Sequence, residues 1–372
     1  MMKKHLENFV VHRFRGLREL ELSGLGRVNL LVGANNSGKT SVLEALSTYC
    51  RPLDPLEWLN TAWRREMRPS SVPMLDALKW LFPQTNHQAE ALLYSGETFV
   101  SGNGHFCVSE SHGKYSEMLS ADQAESCEDE PAAYSSDNVG RGADFSLKAV
   151  VQPRPDGSPH EVSENFQLWQ NERFVSRQKP LKPILPAATI TPFSHWAEQT
   201  RIGQFTEIDL NFRTGEIIEI VKQTEPGISE LKILSPGGIR PILYIRHNEL
   251  GLSPFSAMGD GVRRTLTIAL NMLLAENGLL LIDEIETAIH TSSLVSIFRW
   301  MVHISKELNV QIFATTHSLE AVDAMLEVPE DEQGQEDLVT YRLSRTRRES
   351  TVTRLDWDML CILRTELGQE VR

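Results

Sequence analysis

The octapeptide GANNSGKT, Gly33 to Thr40, constrains this chain more than any other stretch. It fits the pattern GxxxxGK[ST] without departure, and its flanks fit the same unit. The run Val28 to Val32, VNLLV, has the near-continuous apolarity of a strand buried on both faces. SVLEALSTY then switches to helical spacing at Val42, Leu43, Leu46 and Tyr49. Strand, glycine-bearing loop and helix in that order form a phosphate cradle, because glycines let backbone N–H groups wrap phosphate oxygens and the helix N-terminus adds the positive end of its dipole. Read this way, Gly33, Asn35, Asn36, Ser37, Gly38, Lys39, Thr40 and Ser41 bind ATP. Lys39 neutralises the β- and γ-phosphates, and the Thr40 hydroxyl ligates Mg²⁺.

Such a site also needs a carboxylate on the metal side and a group that orients the attacking water. GLLLID, residues 278–283, is a second apolar strand, and Asp283 and Glu284 stand at its C-terminal end, where open parallel sheets bind ligands. Asp283 is the expected metal-side residue and Glu284 the expected general base. VQIFATTHS, residues 310–318, is a third apolar strand, and His317 just beyond it is placed to hydrogen-bond a γ-phosphate oxygen and report its loss. Between these strands lie helical patterns over Val262 to Leu274 and Ser293 to Leu308. A parallel sheet covered on both faces follows, hence an α/β fold.

The 372 residues suffice for two domains, or for one large domain carrying an insertion. The sequence divides into a first segment, 1–50, with the phosphate loop; a middle lobe, 51–190, with short helices, antiparallel strands and the acidic run ESCEDE; and a last segment, 191–372, with the carboxylate and histidine strands. No apolar run approaches the roughly 18 to 20 residues of a membrane span, and the first ten residues lack an apolar leader core, so a cytoplasmic location without membrane contact is expected. The four cysteines are too scattered for a zinc or redox motif. Lys plus Arg is 37 against 50 for Asp plus Glu, a balance of −13 that opposes phosphate-backbone binding. DNA binding is expected to be weak at most, with YRLSRTRR (Arg342, Arg345, Arg347, Arg348) the local basic cluster.

NLLVGANNSGKTSVLEAL, SAMGDGVRR, LLLIDEIETAIH and QIFATTHS, in that order, resemble the ABC-type ATPase domains of the OLD (overcoming lysogenization defect) family and its AAA15-like relatives. FRGLRELELSGLGRVNLLVG and the terminal LGQEVR extend the likeness to most of the chain outside the middle lobe. The resemblance implies a P-loop NTPase of ABC-ATPase type, with an inserted lobe between the phosphate loop and the signature. It implies two heads closing face to face around two ATPs, with SAMGDGVRR as the signature loop and Gly259, Asp260 and Gly261 facing the partner's γ-phosphate. SAMGDGVRR departs from the transporter-type LSGGQ in both spelling and serine position, which speaks against a direct phosphate contact by Ser256. The same resemblance brings Arg13 or Arg15 toward the nucleotide, against a solvated strand end. Gln84 and Gln88 are candidates, by order only, for the Q-loop glutamine. His290 falls in the D-loop region, against a helix-surface role.

Many OLD relatives continue into a metal-dependent TOPRIM nuclease domain, and this chain ends soon after its histidine strand. Nuclease activity is therefore expected to be absent from the polypeptide. The resemblance suggests a homo-oligomeric sensor or motor ATPase that controls a separate nuclease or toxin effector, as in bacterial anti-phage defence. The rival is a DNA repair or chromosome-maintenance ATPase of SMC or recombination-mediator type.

Overall fold

The computed structural model describes residues 4–65, 72–84, 93–104, 108–119, 140–151, 158–170, 183–238, 240–329, 332–345 and 350–371. The acidic run at 125–130, Cys107, Cys127, Gln88, Arg347 and Arg348 lie outside them. Two compact units divide the chain. The first holds Met1–Glu7, Leu22–Leu43 and Leu185–Arg372; the second holds Asn8–Glu21 and Glu44–Ile184.

The first unit is built on a six-stranded sheet. Strand β3 (Val28–Val32) lies inside it, with β14 (Leu338–Arg345) on one side and β13 (Gln311–Thr315) on the other. Beyond β13 come β12 (Leu279–Ile282) and the edge strand β8 (Ala187–Ile190), and beyond β14 the edge strand β15 (Ser350–Leu355). Every pair is parallel except β14–β15, so the α/β reading stands. The three strands nearest the centre of the nucleotide motifs are buried along their whole length. Helices α6 (Asp260–Leu274), α7 (Thr291–Glu307) and α8 (Leu319–Leu326) contribute buried apolar residues to one cluster with the strands. That coverage is why the strands read as runs of apolar residues rather than as alternation.

Polar residues inside these strands are held. Asn29 Oδ1 accepts the Gly26 N–H at 2.8 Å, and its amide donates to the Gly26 and Ile312 carbonyls at 2.9 and 3.2 Å. Gln311 does the same for the N-terminal segment, donating to the carbonyls of Leu6 and Gly26 and accepting from Leu6 N–H.

Helix α1 (Lys39–Cys50) follows β3. Between β8 and α6 the chain forms α4 (Glu198–Leu210), α5 (Thr214–Thr224) and the three-stranded antiparallel sheet β9 (Ile228–Leu234), β10 (Ile242–His247) and β11 (Gly251–Pro254). The sequence suggests one helical stretch from Phe193 to Val221. The structure breaks it at 211–213, where Phe212 turns left-handed at φ 58°. After α8 come α9 (Glu332–Asp337), the β14–β15 hairpin and the short α10 (Trp357–Cys361).

The second unit carries a six-stranded sheet in the order β2-β1-β4-β5-β6-β7. Its strands are β1 (Asn8–Phe14), β2 (Leu17–Ser23), β4 (Ser95–Asn103), β5 (Val108–Leu119), β6 (Arg141–Val151) and β7 (His160–Trp169). β1 pairs antiparallel with β4, and β4 to β7 continue antiparallel. Helices α2 (Pro55–Trp63) and α3 (Met74–Lys79) complete it, over an aromatic core in which Trp58 stacks on Phe82 and meets Phe145 edge-on. Among the described residues no helix is long and apolar enough to cross a membrane.

The buried amide of Asn29 supports a first expectation. Asn29→Ala strips hydrogen bonds from Gly26 and Ile312 inside a dry sheet, so the variant should lose roughly 2–4 kcal/mol of stability. A urea unfolding midpoint within experimental error of wild type would show that Asn29 is not needed to satisfy these groups.

Candidate functional site

Parallel pairing puts the C-terminal ends of β3, β8, β12 and β13 along one edge, because Ile282 lies opposite both Ile190 and Ala314, and Thr315 opposite Leu31. The loops leaving those ends carry the motif residues. The glycine loop is built to its turn: Gly33 has φ 143°, Asn36 63° and Gly38 103°, all left-handed or beyond. A Cβ on Gly33 would lie 2.2 Å from the Leu343 carbonyl oxygen, so no other residue fits there. Asn35 and Asn36 are exposed at the tip, Ser37 and Ser41 are buried, and Gly38 accepts the first helical bond, from Val42 N–H at 3.0 Å.

Lys39 is 4 % exposed and folds back into the loop, donating to the carbonyls of Gly33 at 2.7 Å and Ala34 at 3.0 Å. Burial pulls its ammonium down to about 8, against the opposing pull of the Asp283, Glu284 and Glu286 carboxylates. Thr40 Oγ1 donates to Asp283 at 3.1 and 3.2 Å, and Thr315 Oγ1 donates to Asp283 Oδ1 at 2.6 Å. The structure thus brings together Lys39, Thr40, Asp283 and Glu284, residues separated by more than 240 positions in the chain.

Glu284 has φ 50°, an uncommon conformation for a residue bearing a Cβ. Its carbonyl accepts from Thr287 N–H at 3.0 Å, and three further hydrogen bonds hold it. Its N–H donates to Thr315 Oγ1 at 2.8 Å, its carbonyl accepts from Arg264 at 3.0 Å, and its Oε2 accepts from Thr287 Oγ1 at 3.1 Å. His317 is half-buried after β13, and its backbone N–H donates to Glu286 Oε1 at 3.1 Å. Glu286 Oε2 is buried among these groups without a hydrogen-bond partner.

Gly259 caps α6 with Asp260 in its first turn, and both are exposed. Nothing lies within 4 Å of a Cβ built on Gly259, whereas one on Gly261 would meet the Ala288 carbonyl oxygen at 3.3 Å. The loop before them is tied to the helix by Arg263, which donates to the Ser256 carbonyl and sits 5.0 Å over the Trp196 ring. Arg15 belongs to the second unit. Its Nε lies 2.7 Å from Oε2 of the buried Glu44, whose two oxygens also accept from Arg65 at 2.8 and 2.7 Å. The Gln84 amide donates to the carbonyls of Lys79 and Phe82. His290 caps α7 by accepting from Ser292 N–H.

Sequence reasoning missed three residues here: Thr315, Glu286 and Arg264. Thr315 and Glu286 sit inside quoted motifs, ATTHS and DEIE, and were legible as polar residues at apolar strand ends. Arg264 looked like an ordinary charge on an amphipathic helix.

The oxygens of Thr40 and Asp283 form a hard donor pair of the kind Mg²⁺ takes, and among the described residues no group of three or more His, Cys, Asp or Glu forms a metal cage. A magnesium ion fits such a pair when phosphate and water oxygens complete its shell.

Several known proteins are similar to this chain. The family model described as "AAA domain, putative AbiEii toxin, Type IV TA system" matches residues 145–323. An uncharacterized protein of Methanocaldococcus jannaschii is 46% identical over 70 residues, 19% of this chain; the chain spans 61% of that protein's length. An "ATP/GTP phosphatase" of Helicobacter pylori is 22% identical over 350 residues, covering 87% of this chain and 88% of that protein. Among solved structures, an Smc head bound to the C-winged helix domain of ScpA aligns over 95% of this chain and 99% of its own, at 14% identity and a TM-score of 0.49. The phosphate loop and the strand-end carboxylates have the arrangement of a P-loop nucleotide site, and the matched AAA-domain model overlaps the part of the chain that carries Asp283 and Glu284.

Proposed function

We propose that the chain binds MgATP at the Gly33–Ser41 loop and hydrolyses it within a head-to-head dimer, as an OLD- or AAA15-like switch that controls a separate effector in anti-phage defence. The observation that carries the hydrolytic reading is the meeting of Thr40 with Asp283 beside Lys39 and Glu284 at one sheet edge. The effector reading draws support from the matched family's description, which names a toxin of a Type IV TA system.

In this reading Lys39 leaves the loop carbonyls for the phosphates. The metal, when bound, supplies charge neutralisation and polarises the terminal phosphoryl group. Thr40 and Asp283 hold it, Glu284 orients and deprotonates the attacking water, and His317 touches a γ-phosphate oxygen while Glu286 holds its backbone. Gly259, Asp260 and Gly261 complete the partner's site, where the exposed, open Gly259 at the helix start lets another molecule's phosphate approach.

The free-protein ammonium of Lys39 titrates at about 8, and neighbouring phosphates raise that value. Nucleotide affinity should therefore hold steady below about pH 7 and weaken as pH rises through 8, with proton uptake on binding at pH 8.5. Calorimetry in two buffers of different ionisation enthalpy measures the uptake, and zero uptake would mean that Lys39 is already fully charged. Glu284→Gln keeps the shape of the side chain but not its basicity, so it should bind MgATP while turnover falls by roughly 10²-fold or more. Unchanged turnover would move the water-positioning role to another residue.

The dimer is tested by mixing two inactive variants. Lys39→Ala lacks its own phosphate lysine, and Gly259→Arg puts a long side chain into open space at the start of α6, against the partner's site. A mixed dimer has one doubly defective site and one intact site. Mixing should restore up to about a quarter of wild-type hydrolysis per subunit with statistical exchange and independent sites, or nucleotide trapping alone if both sites fire together. Confirmed subunit exchange with neither result would rule out the signature acting in trans.

A further inference from the structure

Arg264 is the fifth residue of α6, and its side chain is fully buried at 0 % exposure. A charge so placed is costly unless its donors are used. Those of the two terminal nitrogens go to main-chain carbonyls, Nη1 to Thr191 at 2.6 Å, and Nη2 to Asp283 at 3.2 Å and Glu284 at 3.0 Å, while Nε is buried without a partner. One guanidinium therefore ties the loop after β8 to the two peptide groups that set the direction of Glu284. Those peptides flank a strained residue, since Glu284 stands at φ 50°; Arg264 adds to the Thr315 hydroxyl, which accepts the Glu284 N–H, to the Thr287 N–H on the Glu284 carbonyl, and to the Thr315 carbonyl, which accepts the Ile285 N–H. The same helix starts four residues earlier at Asp260, next to Gly259 on the exposed surface.

We propose that Arg264 is a positioning residue for Glu284: it fixes the strained backbone that aims the carboxylate and links that backbone rigidly to the start of α6. A shift of the exposed helix start then reaches Glu284 through one side chain, without passing through the phosphate loop. The planar fork is what the task requires, because it spans three carbonyls at fixed angles; a lysine ammonium at that position reaches one of them at a time. Binding of nucleotide rests on Lys39 and Thr40 and is independent of this link. The proposal depends on the hydrolytic reading of the site, and the test separates the two.

The experiment is a double-mutant cycle on the full chain, with Arg264→Lys and Glu284→Gln singly and together. It reads MgATP affinity by titration with a fluorescent ATP analogue and turnover by phosphate release. Arg264→Lys should bind the analogue within about twofold of wild type, leave KM within that range and lower kcat about tenfold or more. In the Glu284→Gln background the same change should cost less than about twofold, since the carboxylate it positions is gone. Equal losses in both backgrounds, or a loss confined to KM, would overturn the assignment. If Arg264→Lys does not fold, Arg264→Gln takes its place, because its amide still donates to two carbonyls. Failure of both to fold would make Arg264 a fold residue and overturn the proposal as well. A wild-type chain that binds the analogue but never releases phosphate would instead refute the hydrolytic reading itself.

Discussion

The carboxylate of Asp283 is where the first unit comes together. It accepts from Thr40 at the head of α1 and from Thr315 at the end of β13, while its own backbone N–H is bound by the Ile190 carbonyl at the end of β8. Four chain segments thus end on one residue. That is possible only because the sheet is parallel there: parallel strands release their C-terminal loops on the same edge, and the register of β12 against both neighbours brings those loops level. Apolar burial of β3, β12 and β13 fixes that register, since sliding any of them by one residue would turn its polar end into the core.

Glycine and positive φ mark the same edge. Gly33, Asn36 and Gly38 shape the phosphate loop, and Glu284 and Ala288 stand at φ 50° and 62° in the loop after β12. Strain of this kind costs of order 1–3 kcal/mol per residue and persists only where surroundings over-determine it. At Glu284 the surroundings are a hydroxyl, a guanidinium and a second hydroxyl, each from a different segment. The backbone of the site is thereby held from several sides, and under the proposed function the movement of a switch falls to helices such as α6.

Much of this was legible in the sequence, for local reasons. A phosphate loop between an apolar run and a helix is encoded within twenty residues, and the nearly continuous apolarity of VNLLV and LLLI announces burial on both faces without any knowledge of their neighbours. What was not legible depends on partners far away in the chain. Asn8 pairs with Asn103, so the neighbour of the first strand on the side away from β2 begins some ninety residues later, and nothing in NFVVHRF says so. Strand β8, AATI, is a half-buried edge of four residues with too little pattern to stand out. Arg264 was hidden by its type, because arginine on an amphipathic helix ordinarily lies in water and only the fold shows that this one does not.

Charge explains why the site is organised around both signs. Asp283, Glu284 and Glu286 all act on Lys39, and the same three act on Arg264, so three carboxylates face two cations at the sheet edge. Burial pulls Arg264 down to about 10 and Lys39 further, yet the carboxylates keep both from losing their protons readily. A polyphosphate entering such a place meets repulsion as well as attraction. Under the proposed function, the balance tips only when further positive potential arrives: from the magnesium ion at Thr40 and Asp283, and from the dipole end of a partner's α6, which is capped by the exposed Gly259. Binding is then strongest when metal, nucleotide and a second head are present together, which is the electrostatic condition for an ATPase that fires on assembly rather than on encounter with ATP alone.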